Sequence, residues 1–300
     1  MTRPGLVEVA DGVFAYLQPD GGWCLNNAGV VPSAEGTTVI DTAATESRAR
    51  ALRAAIGTVT DVRPRTVVNT HSHGDHTFGN FVFGPETEII AHELGRAEAI
   101  ENGLALQNLW PDVGWGDVVL KPATTTFAER LVLHREDRTI ELLHLGTAHT
   151  TNDVVVWLPE ERVLFTGDIA LSGCTPFVLM GSVSGSLAVL ERLRELPAQT
   201  VVCGHGSLAG PEVLDANARY LRWLQGIAAD AIAGGRTPLE AAAEADLGEF
   251  AGLRDSERLV ANLHRAFAEH RGAAPGVPLD VVGVFAEMVA HHGGLPVCHA

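Results

Sequence analysis

The chain has 300 residues, 46% of them hydrophobic and 19% charged, with a formal net charge of −16. That length buries a sizeable core without covalent staples, and a charge of that sign repels phosphate backbones and anionic lipid, so neither nucleic acid nor a membrane is expected as a partner. The four cysteines, Cys24, Cys174, Cys203 and Cys298, form no C-x-x-C pair, which points to thiols in a reducing compartment and away from a disulfide framework or a thiolate zinc knuckle.

Acids at Glu8 and Asp11 precede any apolar run. This argues against a secretory signal and for a cytoplasmic protein. Strands are expected at residues 13–17, 25–31 and 37–40, separated by Asp20-Gly21-Gly22, Pro32-Ser33 and Glu35-Gly36. A helix is expected over 43–56. A short apolar strand at 66–69 runs into the series T-H-S-H-G-D-H, and a further strand at 87–91 precedes helix to about residue 106. Residues 107–130, with Trp110, Pro111, Gly114, Trp115 and Gly116, are expected to be irregular. Strands resume at 130–134, 139–144, 153–158 and 162–166. The uncharged stretch 169–190 is long enough to span a bilayer but is broken by serine, glycine and proline, so it is expected to be a strand end, a loop and a helix start. Leu187, Leu190, Leu193 and Leu196 recur at helical spacing, and 200–203 is a strand. Beyond Pro211, placed at a first helical position, the pattern is helical, with Leu214, Ala218, Leu221 and Leu224 on one face. Ser256 is expected to cap a helix bearing Leu259, Leu263 and Phe267. This order predicts an α/β protein: an αββα sandwich over residues 1–210 and a helical C-terminal extension, 211–300, packed on it.

His71, His73, Asp75 and His76 fall within six positions directly after an apolar strand. A strand end is rigid, and the turn after it lets several side chains converge. Imidazole and carboxylate are the ligand types of borderline metals, and catalytic sites keep a position open for water. One turn histidine alone is usually solvated; four such residues in this spacing are not explained that way. Three more candidates lie at strand ends: His149 in G-T-A-H-T-T-N-D, Asp168 in L-F-T-G-D and His205 in V-V-C-G-H-G.

This ordered series resembles the metallo-β-lactamase superfamily over about residues 6–210. The resemblance implies that His71, His73 and His149 hold one divalent cation and Asp75, His76 and His205 a second. Asp168 would bridge them, and Asp41, in V-I-D-T, would support the site without binding metal. Two ions, zinc first with iron or manganese as alternatives, would supply a metal-bound hydroxide and polarise a carbonyl. Asp75 and Asp168 are the carboxylates expected to take part in catalysis. Cys203 is expected in the core, and the remaining histidines in hydrogen-bonded or surface roles. Among them His264 is the one expected nearest the site mouth.

No cysteine stands in the second ligand set, and Asp168 resembles the glyoxalase II, lactonase and thioesterase branches more than the lactamases. Trp23, Trp110, Trp115, Phe177 and Met180 are candidates for an apolar wall suited to a flat or acyl substrate. The run G-G-W-C-L-N-N-A-G and the helical tail are similar to bacterial aromatic polyketide cyclases that act on carrier-bound thioesters. The expected activity is binuclear metal-dependent cleavage of a thioester or ester on a small-molecule or carrier-bound acyl substrate, with a polyketide cyclase/thioesterase as its most specific form. A lactonase or glyoxalase II–like hydrolase and a mononuclear iron sulfur dioxygenase are the alternatives. A homodimer through the helical tail is one arrangement left open.

Overall fold

The computed structural model describes residues 3–135 and 138–300. Its first sheet holds seven strands in chain order: β1 (Gly5–Ala10), β2 (Val13–Leu17), β3 (Ala28–Val31), β4 (Thr37–Ile40), β5 (Pro64–Val68), β6 (Glu88–His92) and β7 (Thr125–Phe127). β1 to β4 pair antiparallel; β4 to β7 pair parallel. The second sheet comprises β8 (Arg130–Arg135), β9 (Arg138–Leu143), β10 (Val155–Leu158), β11 (Val163–Gly167) and β12 (Thr200–Cys203), in the order β12-β11-β10-β9-β8. Only β11 and β12 are parallel there.

Parallel neighbours need a crossover, usually helical. α1 (Glu46–Ile56) joins β4 to β5, α2 (Gly74–Thr77) and a 3₁₀ turn join β5 to β6, α3 (Glu93–Asn102) joins β6 to β7, and α4 (Val183–Arg194) joins β11 to β12. α5 (Glu212–Ala233), α6 (Pro238–Glu244), α7 (Arg258–His270) and α8 (Val281–His292) follow.

Strand alternation builds the layers. Ile140 and Leu142, Val154 and Val156, and Val163 and Phe165 turn toward Val13, Val31, Ile40, Val68 and Ile90 of the other sheet. Their sequence neighbours Val155, Trp157, Leu164, Val201 and Cys203 turn the other way, onto α4, α5 and α7. On the far side Val30, Val39, Val67 and Ile89 pack beneath Leu52 and Ile56 of α1. A period of two thus gives each sheet two apolar faces, and the order of layers is the αββα sandwich with C-terminal helices. The apolar cluster on the helical side continues from β10 and β11 through α5 and α7 to Val284 and Met288 of α8.

Several element boundaries depart from expectation. β7 lies in the segment expected to be irregular, because β6 offers a free parallel edge there. The strand expected from residue 25 begins at 28. Residues 26 and 27 turn aside to the other sheet, where Asn26 bridges His205 and Asn27 N–H donates to Gly204 O at 2.6 Å. α4 starts at Val183, capped by Ser182 Oγ, which accepts from Gly185 N–H at 2.9 Å. Pro211 stands one residue before α5. Ser256 does not cap α7; Glu257 takes the cap position and spends its carboxylate on Trp23 instead. Among the described residues, no helix is long and apolar enough to cross a membrane.

Candidate metal centre

The parallel pairs β4–β5 and β11–β12 end on the same side of the sandwich, and the sequence places a polar residue just past each end. Asp41 follows β4, Thr70 and His71 follow β5, Asp168 follows β11 and His205 follows β12. His149 comes from the loop between β9 and β10; His73 precedes α2, and Asp75 and His76 lie in it. The approach is close enough to require glycine. A Cβ on Gly204 would lie 1.9 Å from Asp168 Oδ1, and Gly167, at φ +51°, would bring one to 2.7 Å from Thr70 Oγ1. The glycines of G-D and G-H are therefore packing requirements of the site.

The structure brings all seven candidate side chains together in three overlapping groups. His71, His73 and His149 form one; Asp75, His76 and His205 form another; Asp168 joins His71 of the first and His76 of the second. Within each group the donor atoms lie within 4.8 Å of one another. The rings of the first triad have centroids 4.6 to 4.8 Å apart and planes 77° to 88° from parallel. They meet edge-on, nitrogen toward nitrogen, with His73 Nδ1 and His149 Nε2 at 2.9 Å. Asp75 Oδ2 lies 3.2 Å from His205 Nε2, and Asp168 Oδ2 lies 3.5 Å from His205 Nε2 and 3.6 Å from His149 Nε2.

Hydrogen bonds behind the rings fix which nitrogen faces inward. Asp41 Oδ2 accepts from Thr70 Oγ1 at 2.7 Å and from His76 Nδ1 at 2.8 Å, while Oδ1 accepts from Thr70 N–H at 2.7 Å. Because Thr70 donates to the carboxylate, its oxygen is left to accept from His71 Nδ1–H at 3.1 Å. One carboxylate thus sets the tautomer of a histidine in each triad. His149 Nδ1 donates to Phe177 O at 2.5 Å, and His205 Nδ1 faces Gly21 O and Gly22 O at 3.1 and 3.2 Å. With Nδ1 engaged behind each ring, Nε2 is the nitrogen that all four turn to the centre. Asp41 holds φ +59°, a conformation aspartate tolerates better than most residues.

Burial and crowding divide the protonation equilibria. Burial, with the neighbouring imidazoles of His76, His73 and His149, holds His71 well below the usual histidine range. Burial lowers His73 and pushes His149 down to about 3. The first triad is therefore neutral and ready to ligate. Burial also opposes charge on His76 and His205, but carboxylates outweigh it: Asp168, Asp41 and Asp75 raise His76, and Asp168 and Asp75 raise His205. Burial likewise opposes charge on Asp75 and Asp168, yet His76 and His205 hold both below the usual carboxylate range.

The donor set fits divalent cations. His76 Nε2 and Asp168 Oδ1 lie 3.2 Å apart, yet neither makes a hydrogen bond, and His71 Nε2 is also buried without a partner. Buried polar atoms that converge without a hydrogen bond are costly, and cations answer them. Imidazoles and carboxylates without thiolate suit zinc, iron or manganese. The clusters suit two ions.

Beside the first triad, Trp23 meets Trp110 and Phe177, each with ring centroids 5.4 Å away, and Phe177 lies 6.2 Å from the His149 ring. Phe285 of α8, which the sequence pattern did not single out, closes this group at 6.4 Å from Trp23 and 5.6 Å from Trp110. Trp23 is held from behind: the Arg258 guanidinium lies 4.1 Å over its ring, and Glu257 accepts its indole N–H at 2.6 Å. Trp115 packs on Phe78 and donates to Trp110 O, so it supports Trp110 from the side. Met180 packs, partly buried, against the large helical core cluster that also includes Phe177. His264 pairs with Glu287 at 2.9 Å, a link between α7 and α8. Cys203 is buried in the core.

Other supporting residues were within quoted motifs but unassigned. Asn152 accepts from Ser72 N–H at 3.0 Å, fixing the residue between His71 and His73, and donates to Glu98. Asp153 accepts from Thr150 N–H at 2.8 Å and Thr150 Oγ1 at 2.7 Å, with its carboxyl pushed up to about 7 by burial.

A family model described as the metallo-beta-lactamase superfamily matches residues 21–205. The chain is 31% identical over 170 residues to a 2,4-dinitroanisole O-demethylase subunit alpha of Nocardioides sp., covering 56% of this chain and 44% of that one. It is 31% identical over 145 residues to a hydroxyacylglutathione hydrolase of Rhodospirillum rubrum, covering 46% and 47%. This chain thus spans less than half the length of those two relatives. With a metallo-beta-lactamase type 2 of Bacteroides fragilis it shares 24% identity over 225 residues, 70% of this chain and 82% of the other. A solved metallo-beta-lactamase from Pontibacter korlensis superposes with a TM-score of 0.62 at 20% identity, covering 73% of this chain and 99% of that one, a likeness of fold. With more than half of its length inside the family match, the chain belongs to the metallo-beta-lactamase superfamily.

Proposed function

We propose that the protein is a binuclear metal-dependent hydrolase of thioesters or esters, with a polyketide cyclase/thioesterase as its most specific form. The observation that carries this reading is the position of Asp168, which meets one imidazole from each triad and so suits a ligand shared by two ions. When bound, two divalent cations would ionise a water near neutral pH and polarise the substrate carbonyl. His71, His73 and His149 would hold one, and Asp75, His76 and His205 the other. Asp41, Thr70, Phe177 O and the Gly21–Gly22 carbonyls keep the ligand lone pairs aimed inward. The group Trp23, Trp110, Phe177 and Phe285 offers flat apolar surface beside the first triad, matched to an aromatic or acyl group, and keeps water from that side.

This reading carries a cytoplasmic enzyme with a small-molecule or carrier-bound acyl substrate, and no nucleic acid or membrane partner. Residues 1–210 would form the catalytic body and 211–300 an extension that shapes the entrance and is open to homodimer formation. Two relatives are named hydroxyacylglutathione hydrolases, which supports thioester chemistry and keeps a glyoxalase II–like or lactonase activity as the second reading. The test is a panel of acyl thioesters, esters, lactones and an aryl methyl ether, assayed with zinc-, iron- or manganese-loaded and with chelated protein. Metal-dependent turnover of thioesters is the expected result. Turnover confined to lactones or to hydroxyacylglutathione thioesters selects the second reading, and oxygen uptake with a single tightly held iron replaces both with a mononuclear iron dioxygenase.

A further inference from the structure

Three residues on one face of α7 grip the backbone of residues 175–179. Arg258 donates to Thr175 O at 3.1 Å, and Arg265 donates through Nε and a terminal nitrogen to Leu179 O at 3.0 and 2.6 Å. Between them Asn262, fully buried, brackets Phe177. Its Oδ1 accepts from Val178 N–H at 2.9 Å, and its Nδ2 donates to Pro176 O at 2.7 Å and to Tyr220 Oη at 3.1 Å. The backbone groups fix the amide's orientation, because an N–H must face the oxygen and a carbonyl the nitrogen.

Phe177 C=O and Val178 N–H belong to one planar peptide unit. The N–H end points at Asn262 Oδ1; the C=O end accepts from His149 Nδ1. We infer that Asn262 is a positioning residue for the metal centre. Through this single peptide it fixes the tautomer and aim of His149, so that the helical extension takes part in holding metal at the first triad. Hydrogen bonds in series polarise one another, so an acceptor on the peptide N–H strengthens the carbonyl that receives His149 Nδ1–H. A proton kept on Nδ1 leaves the Nε2 lone pair free, which second-sphere partners of ligating histidines usually secure. α5 uses a similar device earlier in the same β11–α4 connection, where Asn217 brackets Leu171 by accepting from its N–H at 3.1 Å and donating to its carbonyl at 2.9 Å. There, among the described residues, no candidate ligand hangs on the bracketed peptide.

The inference rests on His149 being a ligand, and its test separates the two claims. Zinc affinities would be measured by chelator competition on the full chain and on Asn262→Ala, Asn262→Asp and Tyr220→Phe. The His149 tautomer would be read by long-range ¹H–¹⁵N NMR on the stripped proteins. Asn262→Ala is expected to weaken one of two zinc equivalents about 10–100-fold and to lose the Nδ1–H tautomer. Asn262→Asp keeps an acceptor on Val178 N–H and is expected to restore both, although it loses the donor to Pro176 O. Tyr220→Phe leaves the peptide untouched and is expected to match the original protein. Unchanged zinc affinity and tautomer in Asn262→Ala, or an Asp variant as impaired as Ala, overturns the inference. Should the Ala variant not fold, the Asp variant decides, with a lost Nδ1–H tautomer counting against. If the original protein binds no zinc, the ligand reading fails, and the tautomer comparison alone decides whether the relay exists.

Discussion

Asp41→Asn is the sharpest perturbation short of removing a ligand. Asp41 is buried and accepts three hydrogen bonds, one on Oδ1 and two on Oδ2. An asparagine of the same shape has one acceptor atom and one NH₂. If the NH₂ replaces Oδ1, it faces Thr70 N–H, two donors in contact. If it replaces Oδ2, the Thr70 hydroxyl can turn, but His76 keeps a bond only by moving its proton to Nε2, into the metal centre. Either orientation loses at least one charge-assisted hydrogen bond, worth about 1.5–3 kcal/mol. The first also leaves a buried N–H unpaired, at about 1–3 kcal/mol more. Urea denaturation of the chelator-stripped protein should register a loss of about 3 kcal/mol, seen in the midpoint at constant slope. Because Thr70 links the same carboxylate to His71, zinc competition should show both equivalents weakened, about 10–100-fold for the His76 triad. Stability within about 0.5 kcal/mol of the original, with both zinc affinities intact, would refute the claim that Asp41 sets the tautomers.

Asp168→Asn should keep the chain folded, weaken the binding of paired ions by about 10-fold or more and strongly reduce turnover; retained turnover removes the bridging role. Trp23→Ala removes the ring between Phe177 and Arg258 and should destabilise by about 3 kcal/mol. It should also shift KM across an acyl series with zinc still bound, and identical kinetics on every substrate would reject the aromatic wall. The pH dependence has a defined sign. The folded pKa values of His76 and His205 are raised above the ordinary 6.5. Their charged forms therefore stabilise the stripped protein fully below about 6.5, and that contribution is lost as pH rises through the raised values. Zinc must displace those protons, so its affinity should climb over the same window with measurable proton release; a flat profile from pH 6 to 8 would contradict the charge distribution in the second triad.

The layers of the fold were legible because strand alternation and helical spacing are local signals. The short apolar runs 139–144 and 153–158 read as strands, and the structure shows both to be two-faced. Boundaries failed where a tertiary partner takes over: residues 26–27 leave the strand to reach Gly204 and His205, and Glu257 gives up capping for Trp23. Most ligand candidates stood out because they sit just past a strand end or in a histidine-rich turn, whereas His149 lies in mid-loop between β9 and β10 and stood out through its place in the ordered series. What holds them was not legible. Phe177 serves through its carbonyl, which any residue carries, and Asn262 and Phe285 act across long sequence separations from helices whose pattern shows only an apolar face.

The most direct measurement is metal content per chain, by elemental analysis of zinc-loaded protein after removal of loosely held ions, with and without His149→Ala and His205→Ala. Two equivalents are expected for the original protein, with each substitution weakening a different one. Less than one equivalent, or two that survive both substitutions, would contradict a centre built from these triads.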